Sequence, residues 1–333
     1  MRLVFYIHCL VICINGLHAQ RIQDIIIEPD TAGKVITYGS TINFKFYLVT
    51  KKGNQKEVGY SRVDKLISCS TTSTECTVYN SRLSFPSKTS NKGLVSAIVR
   101  FTAVKPDDLT LDKSFEIKMN FKSAVSLNFK GENGTSGTKG DKGAIPIILR
   151  DGKPGEVGGH GGEGSKGKTV TVRIKKELDD YFKREILFLY VKDSISNTEF
   201  IYRSLFPDKG IDINVSGGDG GPGGSGGNGS NGKNGIEDKR AGDGGAGGFG
   251  GNGGNGGMGG KVTVIAHTNA SEIVGFLRID NAGGAPGFPG KGGTGGSGGT
   301  GSSSGNSGKS GGDGTMGLPG AQGPNFELRV EEF

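Results

Sequence analysis

The chain begins its ordered pattern with strict alternation. Ile42, Phe44, Phe46 and Leu48 are interleaved with Asn43, Lys45, Tyr47 and Val49, the period of a half-buried strand. Phe115, Ile117, Met119 and Phe121 repeat it. Short β-branched runs at 66–67, 78–79 and 94–101 lie between them, separated by Gly, Pro, Asn and Ser clusters. Short strands with frequent turn signals predict a small β-sandwich over 20–123.

Alternation then gives way to a period of three. Glycine occupies positions 131 to 143 in threes, AIPIILRD interrupts, and the period resumes from 152 to 167. A second block runs from 217 to 235 and, after IEDKRAGD, from 244 to 259. A third runs from 284 to 323, broken at Ser302. Each block is led into by a strand-like apolar segment (Val125, Leu127, Phe129; Ile211, Ile213, Val215; Phe276, Leu277, Ile279) and followed by another (Val170, Val172, Ile174; Val262, Val264; Phe326, Leu328, Val330), most of them alternating with polar residues. The pattern predicts three units of strand, glycine run, reversal, glycine run, strand, at 124–174, 211–267 and 275–331. The insert 175–210 reads as a β-hairpin of 186–191 and 200–205; a helix over 178–190 lacks a clean 3.6 period.

Glycine supplies 64 of 333 residues and proline only 11, with no tryptophan. Three structures suit such runs. A collagen triple helix calls for about 15–20% proline and uninterrupted triplets. A flexible linker has no need of strict phase or of matched strands at both ends. An intramolecular bundle of polyproline II rods satisfies both features. With three residues per turn each triplet position is one face, and a glycine face lets a neighbouring backbone come close enough for N–H to C=O bonds. Runs with two glycines per triplet (217–227, 244–260, 292–299) are expected inside the bundle, and single-glycine runs (131–143, 305–323) at its edge. Sixteen residues make a rod of about 50 Å at about 3.1 Å each. If both ends of each block pair in a common sheet, that sheet is a base from which three hairpins project. The expected fold is therefore mainly β: an immunoglobulin-like sandwich, then a β-based domain carrying a bundle of three glycine-rich hairpins.

These stretches resemble known families. TYGSTINFKFYLV is similar to the opening strands of bacterial immunoglobulin-like modules. The glycine phase resembles that of the glycine-rich antifreeze protein of snow fleas and of the tip domain of certain phage tail-fibre adhesins. The layout of a β-rich front, GGxGG blocks, FLRIDNAGGAPG and a closing FELRV strand looks like that of secreted bacterial proteins described as collagen-like. The resemblance implies a secreted structural role and names no ligand.

The first nineteen residues have the form of a secretory signal, with Arg2, the apolar run 3–14 and Leu17-His18-Ala19 before Gln20. The apolar run is too short for a membrane span. Acylation at Cys13 would need a smaller residue than Ile12 before it. Cys69 and Cys76, in CSTTSTEC, would then sit in an oxidising compartment and are expected to form a disulfide. A formal charge of +7 from scattered lysines and arginines gives no nucleic-acid footprint.

Apparent chemistry is sparse. GEGSKGKT at 162–169 fits the phosphate-loop pattern GxxxxGK[ST], but that loop needs a preceding strand and a following helix, and here TVTVRI follows. After GGDG at 311–314, Met316 stands where a calcium nonapeptide needs aspartate. His160 and His267 are isolated, and no acid–base or nucleophilic set, cofactor site or metal site emerges. The reversals are the candidate contact site: Ile145, Pro146, Ile147, Ile148, Leu149 and Arg150 at one tip, with Glu237, Asp238, Lys239 and Arg240 at the next. The apolar tip either caps the bundle or meets a partner.

The expectation is a secreted or cell-surface, non-enzymatic structural or adhesive monomer whose partner is a surface protein or a glycan. The alternatives are a ligand- or ice-binding protein that uses a flat face of the bundle, and a collagen-like trimer. If glycine faces are contact faces, Gly256→Val lowers the melting temperature more than Asn255→Val, whose side chain points outward. Equal melting temperatures would contradict the assignment.

Overall fold

A computed structural model describes residues 22–104, 109–145, 151–205, 207–236 and 240–333. The described chain is mainly β. It divides into two compact units, one of Met1–Ser123, Glu177–Phe188 and Phe200–Phe206, the other of Ala124–Lys176, Leu189–Glu199 and Pro207–Phe333. The division runs through the insert, so its outer half belongs with the first unit rather than with the glycine-rich chain around it.

In the first unit, the strands are β1 (Ile22–Pro29), β2 (Thr41–Thr50), β3 (Gln55–Val58), β4 (Ile67–Thr71), β5 (Thr77–Tyr79), β6 (Arg82–Ser84), β7 (Ser96–Ala103) and β8 (Asp112–Lys118). They form two antiparallel sheets, one ordered β1-β2-β6-β5 with β3 paired to β2, the other β4-β7-β8. Alternation puts Ile42, Phe44 and Phe46 of β2 and Ala97, Val99 and Phe101 of β7 into one shared core. Phe101 meets the Phe44 and Phe46 rings edge-on at 5.0 and 5.8 Å.

The expected bond between Cys69 and Cys76 is not formed; both are free thiols. Cys69 is paired opposite Phe101 within β4, while Cys76 immediately precedes β5 in the other sheet. Burial pushes the Cys69 thiol up to about 11, and burial raises that of Cys76 too, so neither is poised as a thiolate.

The remaining strands are β9 (Val125–Asn128), β10 (Val170–Asp179), β11 (Arg184–Asp193), β12 (Thr198–Ser204), β13 (Ile211–Asn214), β14 (Val262–His267), β15 (Leu277–Asp280) and β16 (Glu327–Glu331). The strands that lead into the glycine blocks pair in parallel as β15-β13-β9. Those that follow the blocks pair in parallel as β10-β14-β16, extended by β11 and β12. The two ends of each block thus enter two separate sheets, not one common sheet. Each strand finds as its neighbour the equivalent strand of the next unit.

Residues 178–190 form no helix and hold the end of β10 and most of β11. Asp179 ends β10 and caps the turn after it, its Oδ1 accepting from the N–H groups of Tyr181 and Phe182. Its Oδ2 lies 3.2 Å from Nε of Arg203, with both side chains 3% exposed. Arg203 also donates to the Leu94 carbonyl at 3.0 Å. Asp193 ends β11 in the same way, accepting from the N–H groups of Ile195 and Ser196. Its Oδ2 receives the Lys168 ammonium at 2.9 Å.

Burial of Asp193 works against ionisation, but the bonds from Lys168, Ile195 and Ser196 prevail and hold it at about 2. A carboxyl depressed on folding stabilises fully above its unfolded value near 3.8 and loses that contribution as pH falls toward 2. The depression corresponds to about 2 kcal/mol. Asp193→Asn should therefore unfold more easily at pH 7 by about that amount, with the deficit shrinking between pH 4 and 2. Chemical denaturation at several pH values reads this; a deficit independent of pH would contradict it.

Candidate functional site: the faces of the glycine-rich runs

Six glycine-rich runs lie between the leading and the following strands: run 1 (131–143), run 2 (152–167), run 3 (217–235), run 4 (242–260), run 5 (283–301) and run 6 (305–323). None carries helix or strand. Their hydrogen bonds nevertheless repeat every three residues.

One glycine of each triplet donates to a run of the next unit that points the same way. Run 1 donates to run 3 (Gly134 to Asp219, Gly137 to Pro222) and run 3 to run 5 (Gly220 to Ala285, Gly223 to Phe288), each at 2.7–2.8 Å. Runs 2, 4 and 6 are joined identically, as in Gly158 to Phe249 and Gly250 to Gly312. The second glycine donates to a run of opposite direction: Gly221 to Gly162, Gly254 to Gly221, Gly287 to Gly254 and Gly317 to Gly287. The runs therefore form two layers, 1-3-5 and 2-4-6, parallel within a layer and antiparallel between layers. Run 3 bonds to runs 1, 2, 4 and 5, and run 4 to runs 2, 3, 5 and 6. The single-glycine runs 1 and 6 are the edges.

This closeness explains the residue type. A Cβ on Gly256 would lie 2.6 Å from the carbonyl carbon of Gly284 and closer still to its oxygen. A Cβ on Gly221 would meet the Thr135 carbonyl in the same way. The exception shows the rule. Ser230 stands at a glycine position of run 3, is fully buried, and lies opposite the place where run 1 gives out. Its hydroxyl donates to the Ala144 carbonyl at 2.9 Å and accepts from the Lys153 N–H at 2.8 Å.

The third position of each triplet faces outward, and its N–H still needs a partner. The asparagines that precede glycine are clamps. Asn228 accepts from the Thr294 N–H while Gly229 donates to the Thr294 carbonyl. Asn231-Gly232 holds Ser297 likewise, and Asn234-Gly235 holds Thr300. In the other layer, Asn252-Gly253 holds Thr315 and Asn255-Gly256 holds Leu318. Asp219 and Asp243 act as the asparagines do, on Ala285 and Asn306. Asp219 is held below the usual carboxylate range first by the hydrogen bond from Lys130 and then by the Ala285 N–H. The sequence signal was an Asx-Gly dipeptide in triplet phase.

The residues singled out for chemistry join this lattice. His160 accepts at Nδ1 from the Asn252 N–H at 3.0 Å while Gly161 donates to the Asn252 carbonyl, so it serves as one more clamp. His267 accepts from the Asn269 N–H ahead of a short 3-10 helix. In the phosphate-loop match, the N–H groups of Gly162, Gly164 and Gly167 are spent on Thr135, Asn255 and Met258, and Lys168 is spent on Asp193. A strand, β10, follows it. Asp313 binds the Gly292 N–H and the Lys291 ammonium.

Of the tip residues, Ile145 is 75% exposed and Arg240 bonds Asp243 at 3.1 Å. Pro146, Ile147, Ile148, Leu149, Arg150, Glu237, Asp238 and Lys239 lie outside the described residues. The outward positions of the runs also expose Val157, Phe249, Phe288 and Leu318. Among the described residues, no helix is long and apolar enough to cross a membrane.

No family model and no curated protein matches the chain, so its likeness to collagen-like proteins remains one of layout. Among solved structures, a nine polyproline type II helical bundle antifreeze protein of the springtail Granisotoma rainieri aligns at 21% identity over 56% of this chain and 94% of its own. The TM-score is 0.08, which carries no argument about fold or ligand.

The clamp predicts a graded series. Asn231→Leu removes an acceptor from the Ser297 N–H and should cost about 1 kcal/mol. Asn231→Asp keeps the acceptor and should cost less. Equal losses in denaturant melts would show that the side chain, not its oxygen, matters.

Proposed function

We propose that this is a non-enzymatic secreted or cell-surface protein that serves as a rigid adhesive scaffold. In this reading the six runs are polyproline II rods, three hairpins packed as a bundle, and the first unit is an immunoglobulin-like sandwich. The residues before Gln20 are its secretion signal. The observation that carries the proposal is the lattice itself. The glycine N–H groups of the central runs are satisfied within one chain, so the runs need neither a second chain nor a bulky core. That favours a monomer over a collagen-like trimer. It also leaves every third side chain free to vary on a stiff surface, and the reversals free to meet a surface protein or a glycan.

The alternative of ice binding by a flat face draws on Thr294, Ser297 and Thr300 in register on run 5. Against it stands the mixture along the same run, where Ala285, Phe288 and Lys291 occupy the equivalent positions.

Beads coated with the full chain and held under flow on cell-surface material test the proposal. Retention well above that of albumin-coated beads is expected, with loss of several-fold when Ile147, Ile148 and Leu149 are replaced by serine. Retention no better than albumin would overturn the adhesive reading, and an unaffected serine variant would remove the tip from it.

A further inference from the structure

A depression of about 360 Å³ lies on one face of the sheet that contains β10 and β11. Strand alternation builds it. Val170, Val172 and Ile174 are fully buried on one side of β10, so Thr171, Arg173 and Lys175 line the other. β11 adds Tyr190 and Lys192, Glu199 follows on β12, and Phe333 closes the far wall.

Phe333 is held by its neighbours. The His267 ring meets it edge-on at 5.3 Å, and the Arg173 guanidinium lies 5.3 Å from its centroid. Lys175 lies 5.8 Å from the Phe333 ring and 5.6 Å from that of Tyr190, so the cation sits between two aromatic walls.

Part of the charge on this face is not spent on ion pairs, unlike that of the cations that tie the runs and strands together. Lys130, Lys168, Lys261, Arg278 and Lys291 are each paired with a carboxylate. Among the described residues, Arg173 and Lys192 have no such pairing, and neither has Glu199. Arg173, Lys192 and Glu199 therefore line a cavity of ligand size with their charges not spent on ion pairs, small-molecule sites running from about 300 to 1,000 Å³. A guanidinium stacked on an aromatic face keeps the N–H edge that receives a carboxylate in bidentate fashion.

We propose that this depression binds one carboxylated sugar residue, a uronic or sialic acid, through its carboxylate and one ring face. Arg173 and Lys192 hold the carboxylate. Phe333 and Tyr190 pack against the C–H face of the ring. Glu199 and Thr171 take hydrogen bonds from its hydroxyl groups. A bare phosphate or sulfate would leave the rings without a role. The assignment rests on and deepens the reading of the protein as a surface adhesin by naming a glycan class, and it adds a recognition site on the sheet to the contact surface of the tips.

Calorimetric titration of the full chain with glucuronate, N-acetylneuraminate, glucose and inorganic phosphate tests it. At least one of the acidic sugars should bind ten-fold or more tightly than glucose and than phosphate. Arg173→Gln and Phe333→Leu should each weaken it ten-fold or more at an unchanged melting temperature. Arg329→Gln, which removes an arginine already paired with Glu327, should leave binding unchanged. Equal binding of glucose, or an Arg173→Gln variant that matches Arg329→Gln, would overturn the site. Phosphate binding as tight as that of either acid would show a general anion site and overturn the sugar assignment. Beads that adhere while no acidic sugar binds would reject this site and leave the scaffold reading standing.

Discussion

Backbone hydrogen bonding between neighbouring runs is the interaction on which the glycine-rich unit depends. A segment with almost no side chains cannot be held by apolar burial, so it must be held by its N–H and C=O groups. Those groups pair across runs only at distances that exclude Cβ, which is why the Gly256 and Gly221 sites admit nothing larger. Each such bond contributes on the order of 1 kcal/mol net. Glycine carries a larger entropic cost of ordering than any other residue. Stability must then come from repetition in phase, because one bond does not repay one ordered glycine.

Repetition also explains the sheets. β9, β13 and β15 start runs 1, 3 and 5 in the same register, and β10, β14 and β16 receive runs 2, 4 and 6. Parallel pairing of apolar strands such as Val170–Ile174 with Val262–Ala266 fixes the phase in which the runs meet. The hydrophobic effect acts at the sheets and sets the register. Hydrogen bonding carries that register outward where no hydrophobic effect operates.

Much of this was legible because glycine spacing is itself a geometric statement. Two glycines per triplet in 217–227 and 244–260 mark runs with partners on several sides; one per triplet in 131–143 and 305–323 marks edges. Alternation in β2 and β10 likewise told which side chains face a core. What could not be read was partner choice. Nothing local says that Val125 pairs with Ile211 rather than with Val170, so the expectation of one common base sheet had no sequence signal against it. Nor did spacing show that Cys69 lies in β4 while Cys76 lies just before β5, a strand of the other sheet. The asparagine clamps were hidden for a different reason. Each side chain bonds a residue 63, 66 or 86 positions away, a distance that becomes visible only when the units are stacked. The depression beside Phe333 likewise draws on strands that are remote in the chain.

Amide hydrogen exchange resolved at single glycines tests the central claim most directly. The account predicts that in runs 3 and 4 the glycine amides exchange slowly and together, at rates set by global unfolding. The outward amides of Thr294, Ser297 and Thr300 should be protected as well, because asparagines hold them. Exchange of these glycines at the rate of an unstructured peptide would contradict the account.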